Sequence, residues 1–333
     1  MPRNATLASL SLLCLLSCVT SGGPAEPSKE EKQRLVEIHK ESAQQYLNMG
    51  ELDRAEGQVE KGLALEPDNK KLQQILGKTL LKRGRSEDLM RAEKVFRAGD
   101  PQDFQISIGL GATLERLAIL HRESAANIRS GKHLTQAADP KLRADEFEKR
   151  ALAYLTESRT CYERSLTQKP DNVDGLNGLV RVEALLGDND ASLGHAEKLI
   201  TLLRADRKFW EASLVRPEIS ADEENRFRKL SRVQAELEVA IHLHMATLLD
   251  QKQQEQAAIE HLDAVIELKP DLASAYSRRA ENRMALSQYV EAKSDLDTFL
   301  RLSTGKSAND PDIMRAYQLL GDCMRKARDA GVH

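Results

Sequence analysis

Apolar residues recur at helical spacing along most of this chain, beginning at about Glu30. Regular helices are predicted, for example, at 173–186 and 190–203. Charged residues make up 30% of the chain and aromatic residues only 4%. That mixture is typical of helices with charged outer faces and Ala/Leu-rich contact faces. The pattern therefore predicts an all-α protein.

A short turn sequence recurs on a fixed grid. Leu65 to Asn69, Gln168 to Asn172 and Leu268 to Asp271 are near copies of one another, each with a Pro-Asp pair. Their prolines lie about three periods of 34 residues apart, and Pro101 falls one period after Pro67. In this spacing the chain resembles the tetratricopeptide-repeat family, whose helix–turn–helix units stack into a right-handed solenoid that binds other proteins.

The first repeat carries the family pattern most clearly, in Tyr46, Gly50, Ala55 and Pro67. Gly50 can adopt the left-handed conformation that ends a helix. Ala55 allows two helix backbones to approach closely, and Pro67 cannot extend the second helix. This repeat is therefore predicted to be a regular helix hairpin.

Two regions depart from the regular repeat. Nothing in Leu117 to Leu120 stops a helix, so 102–171 is predicted to be one elongated hairpin, with two repeats with degenerate turns as the alternative. The segment 206–220, which holds Trp210, is predicted to interrupt the repeats, and a capping box at Ser220 is predicted to start a long helix. We expect about six hairpins, two of them elongated, and a C-terminal capping helix, with these units: 34–101, 102–171, 172–205, 221–306 and 310–330.

The N-terminus predicts export. An apolar run of about ten residues follows Arg3 and ends in Leu15-Leu16-Ser17-Cys18, which resembles a bacterial lipobox. Residues 1–17 are therefore predicted to be a signal peptide, Cys18 a lipidated cysteine and 18–30 a flexible tether. Val19 favours sorting to the outer membrane, by resemblance to known sorting signals. Ordinary secretory cleavage after Val19-Thr20-Ser21 is the alternative.

Several function classes are disfavoured. A net charge of -3 and a pI near 6.3 argue against nucleic-acid binding. Cys161 and Cys323, the cysteines outside the signal region, do not make a disulfide framework and are expected to be buried. His242 and His244 are two residues apart on a helix and do not form a metal pair, although His261 lies on the neighbouring helix. No catalytic motif is recognised, so we expect no enzyme activity, cofactor, metal or small-molecule substrate.

The family resemblance implies a binding surface on the concave face, built from the first helix of each hairpin. Its N-terminal part is basic through Lys71, Lys78 and Lys82, which would suit a carboxylate-bearing peptide, although a solvated lysine face is the plain alternative. The predicted partner-binding residues are Lys40, Gln44, Asn48, Lys71, Lys78, Lys82, Asn177, Arg181 and, in the insertion, Trp210. The same face is expected to include Glu37, Thr247, Asp250, Ser277 and Glu281.

Together, these features predict a lipid-anchored scaffold of the bacterial envelope that assembles or stabilises a protein complex. Signal, repeat number and length also resemble pilotin lipoproteins, which help to assemble outer-membrane channels. A secretory-pathway co-chaperone without lipid and an exported cell-wall enzyme are the alternatives.

Overall fold

Residues 28–132, 139–216 and 218–329 are described by a computed structural model. The predicted signal peptide, Cys18 and nearly all of the predicted tether lie outside these ranges. Within them the chain forms thirteen α-helices and no strand. The helices are α1 Lys29–Met49, α2 Leu52–Leu65, α3 Lys70–Arg83, α4 Ser86–Arg97, α5 Phe104–Arg129, α6 Pro140–Gln168, α7 Val173–Leu186, α8 Asn189–Leu214, α9 Ala221–Gln251, α10 Glu255–Leu268, α11 Ala273–Ala285, α12 Tyr289–Leu302 and α13 Pro311–Asp329.

Each helix packs against the next one in the chain, which gives six hairpins and a final helix. The first helices of successive hairpins also meet, because α1 contacts α3, α3 contacts α5, and α5 contacts α7. The all-α solenoid predicted from the 34-residue period is confirmed. A stack in which contacts are made mainly between neighbours is the defining property of such folds.

Small residues at the expected positions make the hairpins possible. Gly50 ends α1 with φ of 80°, a conformation that an L side chain rarely adopts. Ala55, Ala258 and Ala292 are fully buried in separate clusters along the stack. The core is therefore a row of interfaces between helices, and three of these interfaces contain a fully buried Ala.

The central hairpin is long, as predicted. Helix α5 has 26 residues and α6 has 29, so at about 1.5 Å per residue they are about 40 Å long. Leu114, Leu155 and Tyr162 are buried in this hairpin and against the helices beside it. No break occurs at Leu117 to Leu120, so the alternative of two repeats with degenerate turns is wrong.

Three predicted boundaries differ from the structure. The predicted interruption of 206–220 is mostly helix, because α8 continues to Leu214 through a stretch without Gly or Pro. The sequence predicts that the second helix of the central hairpin begins at about Arg143, whereas α6 begins at Pro140, where Asp139 caps it. Helix α1 begins inside the predicted tether, because Ser28 and Glu31 form a capping box.

The stack ends in α13, which buries Ile313, Ala316 and Cys323 against the preceding hairpin. Both Cys161 and Cys323 are buried free thiols, as expected. Among the described helices, none is long and apolar enough to cross a membrane.

Candidate protein-binding groove

A continuous groove runs along the first helices of the first four hairpins. It consists of two adjoining cavities that share Asn48 of α1 and Lys78 of α3. The outer cavity, toward the N-terminal end of the stack, has a volume of about 610 Å³. The inner cavity has a volume of about 710 Å³. We call the two together the basic groove. Its lining residues are Lys40, Glu41, Gln44, Gln45, Leu47, Asn48, Lys71, Gln74, Ile75, Lys78, Leu81, Lys82, Gln105, Ala112, Glu115, Arg116 and Arg181.

The floor of the groove carries three lysines from one face of α3. Lys71, Lys78 and Lys82 lie in that order along the helix, with Lys78 seven residues and Lys82 eleven residues after Lys71. At about 100° per residue all three lie within about 20° of one direction. Their ammonium groups contact uncharged oxygens: Lys71 donates to Gln74 Oε1 at 3.3 Å, Lys78 to Gln105 Oε1 at 3.2 Å and Lys82 to the Leu47 carbonyl at 3.0 Å. Among the described residues, none of these lysines has a carboxylate within ion-pair distance.

Lys78 is half-buried where the two cavities meet. Burial lowers its pKa and the nearby charge of Lys71 lowers it further, while Asp103 and Asp174 act in the opposite direction. The lowered pKa therefore reflects mainly the loss of hydration around the ammonium group, and the charge of Lys71 adds to it. An anion bound beside Lys78 would favour the charged form of this lysine.

Arg116 adds a fourth cation from α5. Its Nη1 donates to the Leu81 carbonyl at 3.1 Å, at the end of α3. The close approach depends on Gly84, because a Cβ at that position would lie 2.4 Å from Arg116 Nη2. A glycine that ends α3 with φ of 72° thus also makes room for a groove residue.

The far wall of the groove is a fixed polar network. Arg181 of α7 donates from Nε and Nη2 to the two oxygens of Glu115, at 2.7 and 2.8 Å. Tyr162 donates to the same carboxylate at 3.0 Å, and burial holds the pKa of this phenol well above its usual value. The positive charge of Arg181 and the negative charge of Glu115 offset each other, so this wall is nearly neutral. The three hydrogen bonds to the carboxylate hold the side chains in place.

Seven of the nine predicted partner-binding residues line the basic groove: Lys40, Gln44, Asn48, Lys71, Lys78, Lys82 and Arg181. Lys40 is paired with Glu37 at 2.5 Å, and Arg181 with Glu115. Asn177 lies half-buried on α7 and lines neither cavity. The role of the nine residues in partner binding stays a prediction.

The lining residues that sequence reasoning missed include Gln74, Gln105 and Arg116. Gln74 and Gln105 carry amides that can hydrogen-bond a peptide backbone, and both already contact the lysines or acids beside them. The repeat period held the signal for Gln105, because it follows Lys71 by one period of 34 residues.

Several charged side chains in the C-terminal part of the predicted concave face are paired with one another. Arg278 donates to Thr247 at 3.0 Å and to Asp250 at 2.9 Å. Glu281 is paired with Arg315 at 3.0 Å. These pairs connect neighbouring hairpins, so this half of the face is less available for ligand charges than the basic groove.

Trp210 lies elsewhere, in the C-terminal part of α8. It packs edge-on against Phe209 at 4.9 Å between ring centroids and against Phe227 of α9 at 5.1 Å. Trp210 is half-buried and Phe209 is exposed. The tryptophan therefore joins the ends of the long α8 and α9 helices and does not belong to the basic groove.

His242 and His261 do meet, with their Nδ1 atoms 2.8 Å apart. Arg204 Nη2 lies 3.2 Å from His242 Nε2, and Arg204 Nε donates to buried Glu238 at 2.7 Å. His244 is not part of this pair; it faces Ser192 at 3.2 Å. Within the described ranges, no group of three His, Cys, Asp or Glu side chains is placed to hold a metal ion.

The fold built by these helix pairs is a tetratricopeptide-repeat-type solenoid. No protein-family model matches the sequence, and no curated protein matches it. Among solved structures, pilF of Pseudomonas aeruginosa is similar at 13% identity over 86% of this chain and 98% of that one, with a TM-score of 0.45. TTC0263, a tetratricopeptide-repeat protein of Thermus thermophilus, is similar at 16% identity over 76% and 99%, with a TM-score of 0.43.

Proposed function

We propose that this protein is a non-catalytic scaffold that binds a segment of another protein in the basic groove. The observation that carries the proposal is the row of α3 lysines, which face a cavity without an ion-pair partner among the described residues. A repeat solenoid grows by adding hairpins and offers an extended concave surface, which suits recognition of a chain segment. The amides of Gln44, Asn48 and Gln105 beside the lysines suit peptide backbone.

The groove is well built for binding because its walls are held independently of a ligand. The Arg181–Glu115–Tyr162 network fixes one side, and the packed interfaces among α1, α3 and α5 fix the other. A groove that is already formed loses little conformational freedom when a partner binds. Rigid walls, together with lysines that have no ion-pair partner among the described residues, favour recognition over catalysis.

We further propose that the protein is exported and anchored by lipid at Cys18, and that it supports a complex of the bacterial envelope, at the outer membrane. The motif Leu15-Leu16-Ser17-Cys18 supports this proposal. Diacylation gives stable anchoring where a single chain is marginal. Secretion without lipid, as an adaptor or co-chaperone, is the second candidate, supported by the small residues at Val19-Thr20-Ser21.

The groove is tested by capturing partners from solubilised membranes with the full-length protein and two triple variants. Lys71→Gln, Lys78→Gln and Lys82→Gln together remove the α3 charges. The matched control replaces Lys61, Lys149 and Lys198, which are exposed on the second helices of their hairpins. We expect the groove variant to lose the specific partner and the control to retain it. Equal recovery with both variants would refute a binding role for the groove.

The anchor is tested separately by intact mass of the mature protein. A protein that begins at Cys18 with added acyl chains is expected, and Cys18→Ala should block processing or release the protein. A lipid-free protein that begins at Gly22 would refute lipidation and favour secretion.

A further inference from the structure

Building on the proposed protein-binding groove, we infer that its ligand is an extended acidic segment of a protein partner whose carboxylates pair with Lys71, Lys78 and Lys82. The inference names the chemistry and the spacing of the ligand. It rests on the contacts of three lysines and on the geometry of α3.

The first step is charge complementarity. Four cations line the basic groove without an ion pair among the described residues: Lys71, Lys78, Lys82 and Arg116. The other two, Lys40 and Arg181, are paired with Glu37 and Glu115. Asp103 and Asp174 influence Lys78 only at longer range. Glu41 is a carboxylate in the lining without an ion pair among the described residues, so the groove keeps an excess of positive charge that ligand carboxylates can balance.

The second step concerns the solvent around Lys78. Its side chain is half-buried where the two cavities meet, and its ammonium group contacts only the Gln105 amide oxygen at 3.2 Å among the described residues. Hydrogen bonds between charged groups are stronger than neutral ones, particularly where water is partly excluded. A ligand carboxylate that pairs with Lys78 therefore contributes more binding free energy than one that pairs with a fully exposed lysine. We expect Lys78 to make the strongest contact with the ligand.

The third step is spacing. Along α3, Lys71 and Lys78 are about 10.5 Å apart and Lys78 and Lys82 about 6 Å apart, from a rise of about 1.5 Å per residue. An extended chain advances about 3.3 Å per residue, so three residues span about 10 Å and two span about 6.6 Å. Carboxylates separated by three and then two residues match these axial intervals when the bound chain runs in the same direction as α3. Because side chains of a β-strand alternate between its two faces, the three-residue step also requires a local twist of the bound segment.

Nucleic acid is the competing polyanion, and the groove does not suit it. Proteins that bind single strands without sequence preference stack bases on aromatic side chains. The described lining of the two cavities contains no aromatic residue. Amides from Gln44, Gln45 and Asn48 line it instead and can pair with the backbone groups of an extended peptide.

The test uses three fluorescent decapeptides and the full-length protein, with anisotropy as the readout. The spaced peptide is Gly-Ser-Glu-Ser-Gly-Glu-Ser-Glu-Ser-Gly. The neutral peptide has Gln for each Glu, and the clustered peptide has the three Glu residues adjacent. We expect the spaced peptide to bind about tenfold or more tightly than the neutral one, which corresponds to about 1.4 kcal/mol. Its affinity should fall as salt is raised.

Variants locate the binding. Lys78→Gln keeps a group that can hydrogen-bond Gln105 but removes the charge, and should weaken the binding of the spaced peptide about tenfold. Lys61→Gln on the exposed face of α2 is the matched control and should leave the affinity unchanged. Thermal melting of both variants checks that the fold is retained.

The outcomes separate this inference from the proposed function. Equal binding of the spaced and neutral peptides in the groove would overturn the inference that the ligand is acidic. The proposal that the groove binds a peptide would still hold. Equal binding of the spaced and clustered peptides would overturn the pairing with the three lysines. Binding of an oligouridylate in the groove, with no binding of any peptide, would overturn both.

Discussion

Acid should weaken the fold through the buried pair of His242 and His261. Arg204 donates to His242 Nε2, so the proton of His242 lies on Nδ1 and points to His261 Nδ1, 2.8 Å away. Both rings are therefore neutral. A proton added to His261 Nδ1 would face the N–H of its partner, and a proton on His242 Nε2 would face the Arg204 guanidinium.

The magnitude follows from His242, whose side chain is only 4% exposed. Burial, together with the charges of His261 and Arg204, lowers its pKa from 6.5 to about 4. Between these values the unfolded chain binds the proton and the folded chain does not, so stability rises with pH. The contribution of His242 to stability is fully present above pH 6.5 and is lost as the pH falls toward 4. From about pH 7 to about pH 5 the expected loss is about 2 kcal/mol.

Other charges face the pair from all three helices, and their signs are mixed. Arg207 and Glu197 lie on α8, Glu238 on α9 and Glu260 on α10. Burial also lowers the pKa of His261, and the carboxylates of Glu260 and Glu197 oppose that shift. Protonation of His261 therefore also lowers the stability of the fold as the pH falls.

Urea unfolding followed by circular dichroism at about pH 7 and about pH 5 measures the effect. His242→Gln removes the titrating group, so its stability should depend on pH less steeply than that of the wild type by about 2 kcal/mol over this interval. Ile259→Val, a buried change on neighbouring α10, should cost about 1 kcal/mol at both pH values. Equal pH dependence of the wild type and His242→Gln would refute the reasoning.

Two further predictions concern packing. Gly178→Ala should lower the free energy of unfolding by about 1–3 kcal/mol, because the new Cβ would lie 2.3 Å from the buried Tyr162 ring; Gly194→Ala, with open space around it, is the control, and thermal melting that is equally lowered by both would contradict this explanation. Ala292→Leu should force apart fully buried helix contacts near the C-terminal end; because solenoid contacts are local, hydrogen exchange should increase in α11 to α13 and not in α1 to α4, and a uniform increase would contradict the solenoid model.

The sequence predicted the hairpins well because their ends depend on single residues. The left-handed conformation that ends α1 favours a glycine, which is Gly50. Pro67 and Pro170 stop helices at positions set by the repeat period. Helix α8 continues to Leu214, beyond the end that the repeat spacing predicts. Its residues are compatible with helix, and the next proline comes only at Pro217.

The groove was only partly predictable for a different reason. Lys71, Lys78 and Lys82 share one face of one helix, so their alignment follows from sequence spacing alone. Which residues of α5 meet them depends on how far each hairpin is rotated against the previous one, and the sequence does not give that rotation. Arg116 was missed on this ground, while Asn177 on α7 was included and lines neither cavity.

Site-specific photo-crosslinking in producing cells tests the central claim most directly. A benzophenone amino acid at Asn48, where the two cavities meet, should give a discrete crosslink to one partner protein. The same group at exposed Lys61 on α2 should give none, and Lys78→Gln should reduce the Asn48 product. A crosslink from Lys61 alone, or an Asn48 product unaffected by Lys78→Gln, would contradict the basic groove as the binding site.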